Sequence, residues 1–488
     1  MKIFAALCSL VASSSAISAT PFPPDFQWGA SSAAYQIEGA VEADGKGKSV
    51  WDYYLSDKKI AGPDVNGNTA INFYDRNQYL KDIALFKKLG LTSYRFSISW
   101  TRILPDGTGK INEKGIQHYR QFICDLKAAG IKPLITLYHW DMPLTLAARG
   151  GWLNRDAIGW YADYAKVIFD NFHDLADQFV LVNEPTVEVA QNTLAAEKLA
   201  GKDVGTYPPL IPKKENLGNA LKSLNHILLA SAAAQNIFRK SGYEGALGIA
   251  VPLFPILTEK NAIAADINDA EMTDGIMNRW FLDSIYKGKY PEQVLSFLAL
   301  NKIDADILPE DAKTIHQANF GFIGVNYYAP LYIRHDLNGD SDYAPEFYNP
   351  DDQKIAFTGP VRPDQLERLL AELRLNYGNP DVLITENGAA FKDEDIKVNG
   401  QVNDSNRCLY IRDHIGAVAK ALEQGSKVKG YYVWSSHDNL EWMSGYRTRF
   451  GLIYVDYANQ ERTPKLSAEI YSRLIKGEII KDGDCYRS

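Results

Sequence analysis

Two glutamates stand at the ends of apolar, β-branched runs. In "FVLVNEPT" (Phe179 to Thr186) the run closes on Asn183 and Glu184; in "LITENGAAF" (Leu383 to Phe391) it closes on Glu386, followed by Asn387 and Gly388. A single strand-end glutamate is more often a solvated charge than a reactive one. A pair that faces across one cleft is different. One carboxyl, kept protonated, gives its proton to the oxygen that leaves a glycosidic bond, and the other, ionised, attacks the anomeric carbon or activates water. The two must sit in unlike environments, because their protonation states differ.

Other polar and aromatic residues fall at the ends of similar runs: Gln36 and Glu38, Arg95, His139 and Trp140, Asn326 and Tyr328, and Trp434, with Glu441, Trp442 and Phe450 shortly after. Amides, imidazole and carboxylate hydrogen-bond hydroxyl groups, and indole faces suit the C–H surface of a sugar ring. Arg95 and Tyr328 are the groups available to hold one carboxylate ionised and oriented. Glu38 is expected in an ion pair at the barrel mouth, Arg447 and Arg449 in loop salt bridges, and His437 in a structural role. No His, Cys and Asp spacing fits a metal site and no Gly-rich phosphate loop occurs, so neither metal nor cofactor is expected.

The elements that must carry these residues alternate along the chain. Candidate strands are "FQWGASSAAYQIEG", "SYRFSISW", "KPLITLYHW", "QFVLVNE", "ALGIAVPLF", "FGFIGVNYY", "DVLITENG" and "VKGYYVWSS". Helical patterns lie between them, as over Asn72 to Leu89 with Leu80, Ile83 and Phe86 on one face. Gly90, Gly130 and Gly425 sit where left-handed helix caps are needed before the next strand. Eight apolar strands in strict alternation with eight helices predict a parallel sheet closed into a single (β/α)8 barrel, with its site at the C-terminal ends of the strands. The absence of Gly-x-Gly-x-x-Gly after the first strand removes the dinucleotide-binding alternative. The polar stretch from Ala329 to Pro363 is expected to form excursions over the barrel mouth.

The chain has 488 residues, of which 46% are hydrophobic and 23% charged, with a net charge of −8. That balance is ordinary for a globular protein and argues against nucleic acid or an anionic membrane as partner. Residues 1–19, "MKIFAALCSLVASSSAISA", read as a signal peptide cleaved after Ala16 or Ala19, leaving 20–488 as one domain and a secreted product. The apolar run is too short to span a bilayer. Cys8 leaves with the signal. Cys124, Cys408 and Cys485 remain, so at most one disulfide forms and one thiol is left over, with the pairing open. Cys124 is expected in the core. Asn403 opens an Asn-Asp-Ser sequon and is a candidate glycosylation site.

The motifs "YQIEGA", "YRFSISW", "TLYHWDMP", "NEP", "GVNYY", "ITENG", "VWSSHDNLEW" and "GYRTRFGL" together resemble glycoside hydrolase family 1, in the family's order and over nearly the whole mature chain. The resemblance implies Glu184 as general acid/base and Glu386 as nucleophile, with Arg95 and Tyr328 holding the latter. It implies Gln36, His139, Asn183, Tyr328 and Glu441 on the glucose hydroxyls, Trp442 assisting, Trp434 under the ring and Phe450 near the sugar's 6-position. The chain departs from the family where Phe179 and Leu181 replace Trp and Thr, where "TVEVAQNTLAAEKLAG" follows "NEP", in "DMPL", and at Ser436-His437. These departures leave the aglycone side open.

The expectation is a retaining β-glucosidase acting on a small glucoside. The nearest alternative is a thioglucosidase of the myrosinase type: plant myrosinases replace the acid/base by Gln, whereas insect ones keep Glu, as at Glu184. A catalytically inactive sugar-binding protein would lack one of the two glutamates, and both are present.

Overall fold

The computed structural model describes residues 22–56, 65–199, 211–338 and 343–487. Residues 1–19, which read as a signal peptide, lie outside them. Eight strands close a parallel barrel in chain order: β1 (Gln27–Ser31), β2 (Ser93–Ser97), β3 (Lys132–Tyr138), β4 (Gln178–Asn183), β5 (Ala246–Pro252), β6 (Phe322–Asn326), β7 (Val382–Asn387) and β8 (Val428–Trp434). The last strand pairs with the first, Gln27 opposite Gly430 and Ser31 opposite Trp434. Buried on both faces, the strands need continuous apolar runs, which is why they were legible as such.

Helices cover the outside. Arg76–Leu89 precedes β2, is capped at its start by Asp75 and ends at Gly90 with φ 86°, a conformation that costs glycine nothing. Its buried stripe is Tyr79, Ile83 and Phe86; Leu80 is exposed, because it lies at the edge of that stripe. The helix Glu113–Ala128 buries Ile116, Tyr119, Ile123 and Leu126. Cys124 therefore falls on its outer face and is an exposed free thiol, not a core residue. Cys408 and Cys485 form a disulfide joining the helix Ser405–Glu423 to the C-terminal turn.

The alternation is richer than one helix per strand. Between β5 and β6 the chain adds Ala264–Asp274, Trp280–Lys287, Glu292–Leu300 and Asp311–Ala318. The expected first strand is shorter than its sequence pattern: it ends at Ser31, and Ala34–Ile37 forms a helical turn whose first amide is taken by the Ser97 hydroxyl at 2.7 Å. The stretch after Ala329 contributes strands Leu331–His335 and Pro345–Tyr348 of a small three-stranded sheet beside the mouth.

The barrel interior is layered. Leu134, Val180, Ala250, Phe322, Leu383 and Tyr432, one from each of six strands, fill a dry layer. Above it, toward the C-terminal ends, the inward residues turn polar: Arg95, Asn183, Asn326 and Thr385 are all buried.

Candidate active site

Strict alternation along β7 would put Leu383 and Thr385 inside and Glu386 outside. Leu383 is in the dry layer and the Thr385 hydroxyl reaches Asn326 Oδ1 at 2.6 Å, so both do face in. A register shift between Ile384 and Glu386 against β6 turns Glu386 inward as well. The pairing of β4 with β5 shifts likewise between Val180 and Asn183, just before Glu184. Irregularities of this kind re-aim side chains, and here they occur at the two strands that carry the carboxylates. Glu184 itself takes φ 42°, and its amide donates to the Ala250 carbonyl at 2.9 Å. Trp140 and Trp442 also have positive φ, 73° and 45°. Non-glycine residues held in that region cluster at functional sites. The Gly of "ENG" has a steric reason: a Cβ on Gly388 would lie 1.8 Å from the Trp434 carbonyl oxygen.

The two carboxyl groups have unlike neighbours. Glu386 accepts from Arg95 Nη1 at 2.6 Å and from the Tyr328 hydroxyl at 2.7 Å. Arg95 Nη2 donates to Asn183 Oδ1 at 2.6 Å, and its Nε to Thr136 at 3.1 Å, so the guanidinium is fixed by three strands. Glu184 accepts only from Asn326 Nδ2, at 2.8 Å, among the described residues. Burial, and then the charge of Glu386, push the Glu184 carboxyl well above the usual carboxylate range. Burial also raises Glu386, but the Arg95 charge and the Tyr328 hydrogen bond oppose it. A cation and a phenol stabilise one anion and only an amide the other, so the proton the pair retains sits on Glu184. Tyr328 stays protonated, raised by burial and by Glu386, and remains a donor.

The remaining predicted residues converge on the same cavity. His139, Glu184, Tyr328, Glu386, Trp434, Glu441, Trp442 and Phe450 line it. Asn183 stands beside His139, Nδ2 to Nε2 at 3.0 Å. Burial and Arg95 keep His139 neutral, far below its ordinary pKa, and its Nδ1 has no protein partner among the described residues. Gln36 donates to the Leu440 carbonyl at 2.8 Å and to Glu441 at 3.4 Å, and its Oε1 has no partner among the described residues. Buried polar atoms without partners cost free energy unless a ligand supplies them; sugar hydroxyls would do so. Burial and then Glu386 raise Glu441 to about 8.

Several residues were not singled out for this site. Asn326, though noted at its strand end, is the partner of Glu184. Phe357 and Thr358, from the excursion after Ala329, and Val187, Gln191 and Phe254 also line the cavity. Val187 and Gln191 are three and seven residues past Glu184, a helical spacing that could have flagged them. Glu38 pairs with Arg102 at 2.6 Å. Arg449 pairs with Asp438 at 2.7 Å, whereas Arg447 makes no ion pair among the described residues and lies exposed in a groove beside the mouth. His437 is buried at 3.2 Å from Asp82, a structural role, so the Ser436-His437 departure lies in the core. Phe179 and Leu181 are fully buried as well. Asn403 is exposed, with its Oδ1 3.4 Å from Arg487 Nη1.

A closed parallel barrel with two buried carboxyl groups of opposed protonation at its C-terminal mouth, ringed by hydroxyl-binding groups and indoles, is a glycoside-cleaving hydrolase. The chain belongs to glycosyl hydrolase family 1, whose sequence model matches residues 18–479. It is 58% identical over 96% of its length to β-glucosidase A of Enterobacter agglomerans, covering 98% of that protein. It is 38% identical to β-glucosidase A of Acetivibrio thermocellus, over 93% of this chain and 98% of that one. Among solved structures, the β-glucosidase from Thermotoga maritima in complex with glucoimidazole superposes with a TM-score of 0.83 at 36% identity, covering 93% of this chain and 99% of that one.

Proposed function

We propose that the protein is a retaining β-glucosidase that removes terminal glucose by double displacement, with Glu386 as nucleophile and Glu184 as acid/base. The observation that carries this is the asymmetry of the pair: Arg95 and Tyr328 on Glu386, a lone amide on Glu184. In the first step Glu386 attacks the anomeric carbon while Glu184 protonates the departing oxygen. In the second, Glu184, now ionised, takes a proton from water, which displaces Glu386 from the sugar. Gln36, His139, Asn183, Glu441 and Trp442 are assigned to the glucose hydroxyls, Trp434 to the ring face and Phe450 to the rim at the 6-position. Among the described residues no lysine or arginine lines the cavity to meet a phosphate, which favours an unphosphorylated glucoside.

The thioglucosidase alternative is not favoured, because the relatives that match over nearly whole chains are named as β-glucosidases. Secretion rests on the N-terminal segment alone, and N-terminal sequencing of the product should start after Ala16 or Ala19. Glycosylation at Asn403 rests on the sequon and its exposure; a mass unchanged by glycan removal would reject it.

Retention is the test of the mechanism. Anomeric proton signals followed immediately after enzyme addition to an aryl β-glucoside should show β-glucose first, with the α-anomer appearing only by mutarotation. Initial α-glucose would mean direct attack by water and would overturn the role of Glu386.

A further inference from the structure

Glu188 is a buried carboxyl that lines no part of the sugar cavity, yet it lies one helical turn after Glu184. Its amide donates to the Glu184 carbonyl at 3.1 Å, closing the first turn of the helix Pro185–Leu199 over that residue. Its side chain points away from the sugar, to the end of β3. Oε1 accepts from the Tyr138 hydroxyl and from Trp152 Nε1 at 3.1 Å. Trp152 also reaches the Tyr138 oxygen at 3.3 Å, so the three groups form a closed set. Tyr138 is the last residue of β3, directly before His139 and Trp140. Trp140 Nε1 in turn donates to the Asn183 carbonyl at 2.8 Å, and His139 meets the Asn183 amide.

The Asn183–Glu184 peptide is thus held from the strand side by Trp140, the Asn183 side chain by His139, and the turn that follows by Glu188. The Glu184 amide is held by the Ala250 carbonyl at 2.9 Å, and among the described residues its carboxyl accepts only from the amide of Asn326. A backbone at φ 42° does not keep that geometry unaided. We propose that Glu188 is a positioning residue for proton transfer: its carboxyl anchors the first turn of the helix to the end of β3 and thereby aims the Glu184 carboxyl at the leaving oxygen. The proposal rests on the assignment of Glu184 as acid/base.

Three variants compared on two substrates test it. Glu188→Leu keeps the volume but removes the acceptor of the Tyr138 hydroxyl and leaves Trp152 only the Tyr138 oxygen; Glu188→Gln keeps an acceptor for both; Glu184→Ala calibrates the assay. The readout is kcat/KM, which reports sugar transfer to the enzyme, on phenyl and 2,4-dinitrophenyl β-glucosides. Proton donation matters for the first and little for the second. Glu188→Leu should lose about 10- to 100-fold on phenyl glucoside and less than about threefold on the dinitrophenyl substrate, and Glu188→Gln should stay within about threefold on both. Equal losses on the two substrates, no loss on either, or a Gln variant as impaired as Leu would overturn the proposal. Should Glu188→Leu not fold, Tyr138→Phe removes the same anchor from the strand side and should show the same split, more weakly; an even loss there would also overturn it. If Glu184→Ala itself shows no dependence on the leaving group, the acid/base assignment fails instead, which keeps the two failures apart.

Discussion

Arg95 holds Glu386 and Asn183 with two nitrogens of one guanidinium, each at 2.6 Å. The cation from β2 therefore ties the end of β7 to the end of β4, the two strands that carry the carboxylates. It is fully buried and its Nε is taken by Thr136, so it has no room to swing toward Glu184. Which carboxyl is ionised follows from where this one charge is fixed.

Replacing Glu386 by Gly should leave the fold and remove turnover. Among the described residues no other carboxyl in the cavity is held by a cation, so the covalent step has no substitute. We expect a fall in kcat of about 10⁴-fold or more, with an unchanged circular dichroism spectrum. Hydrolysis by a folded variant at more than a percent of the parent rate would reject the assignment.

Glu184→Ala should slow glycosides with basic leaving groups by orders of magnitude and spare the activated ones, since the missing proton matters only to the former. Azide should then speed turnover of activated substrates by replacing the water that Glu184 deprotonates, giving β-glucosyl azide. Uniform loss, with no azide product, is the contrary result.

Arg95→Gln should shift the pH profile in a defined direction. Glu386 must be ionised to attack, and the Arg95 charge lowers its pKa against the effect of burial. Without that charge the carboxyl holds its proton to higher pH. The acid limb of kcat/KM should therefore move upward, with activity at low pH lost first. A limb that stays in place, or moves down, would show that Arg95 does not govern this titration.

Thermal stability should fall as pH rises from about 5 to 8. Glu188 and Glu441 are each raised to about 8, in both cases chiefly by burial. A carboxyl with a raised folded pKa binds its proton more tightly in the folded state. Its contribution is complete below the unfolded value of about 4.3 and is lost as pH climbs through the folded one. Glu188→Gln cannot ionise, so its melting temperature should depend less on pH over that window, a difference on the order of a few kcal/mol at pH 8. Parallel melting curves for parent and variant from pH 5 to 9 would contradict the burial argument.

The sequence by itself determined the barrel and the location of its chemistry. Apolar runs of strand length, helical stripes between them and polar residues at the run ends are local signals, set by the 2- and 3.6-residue periods of the backbone. Hence the eight strands, Glu184, Glu386 and the ring of sugar-binding candidates were readable before any fold was known. Where the local pattern is ambiguous it misleads: it predicts Gln36 within a strand, but the residue sits on a helical turn, and it predicts Cys124 inside, though that residue lies one helical step off the buried face. Tertiary structure decided the rest. Alternation alone aims Glu386 out of the barrel, and only its pairing with β6 turns it in. The partners that set its charge, Arg95 and Tyr328, lie 291 and 58 residues away in the chain, and the Glu188 anchor reaches back 50 residues to Tyr138. The partner of Cys408 is Cys485, 77 residues on. Such contacts have no period in the sequence; they exist only once the barrel closes and brings separate strand ends to one mouth.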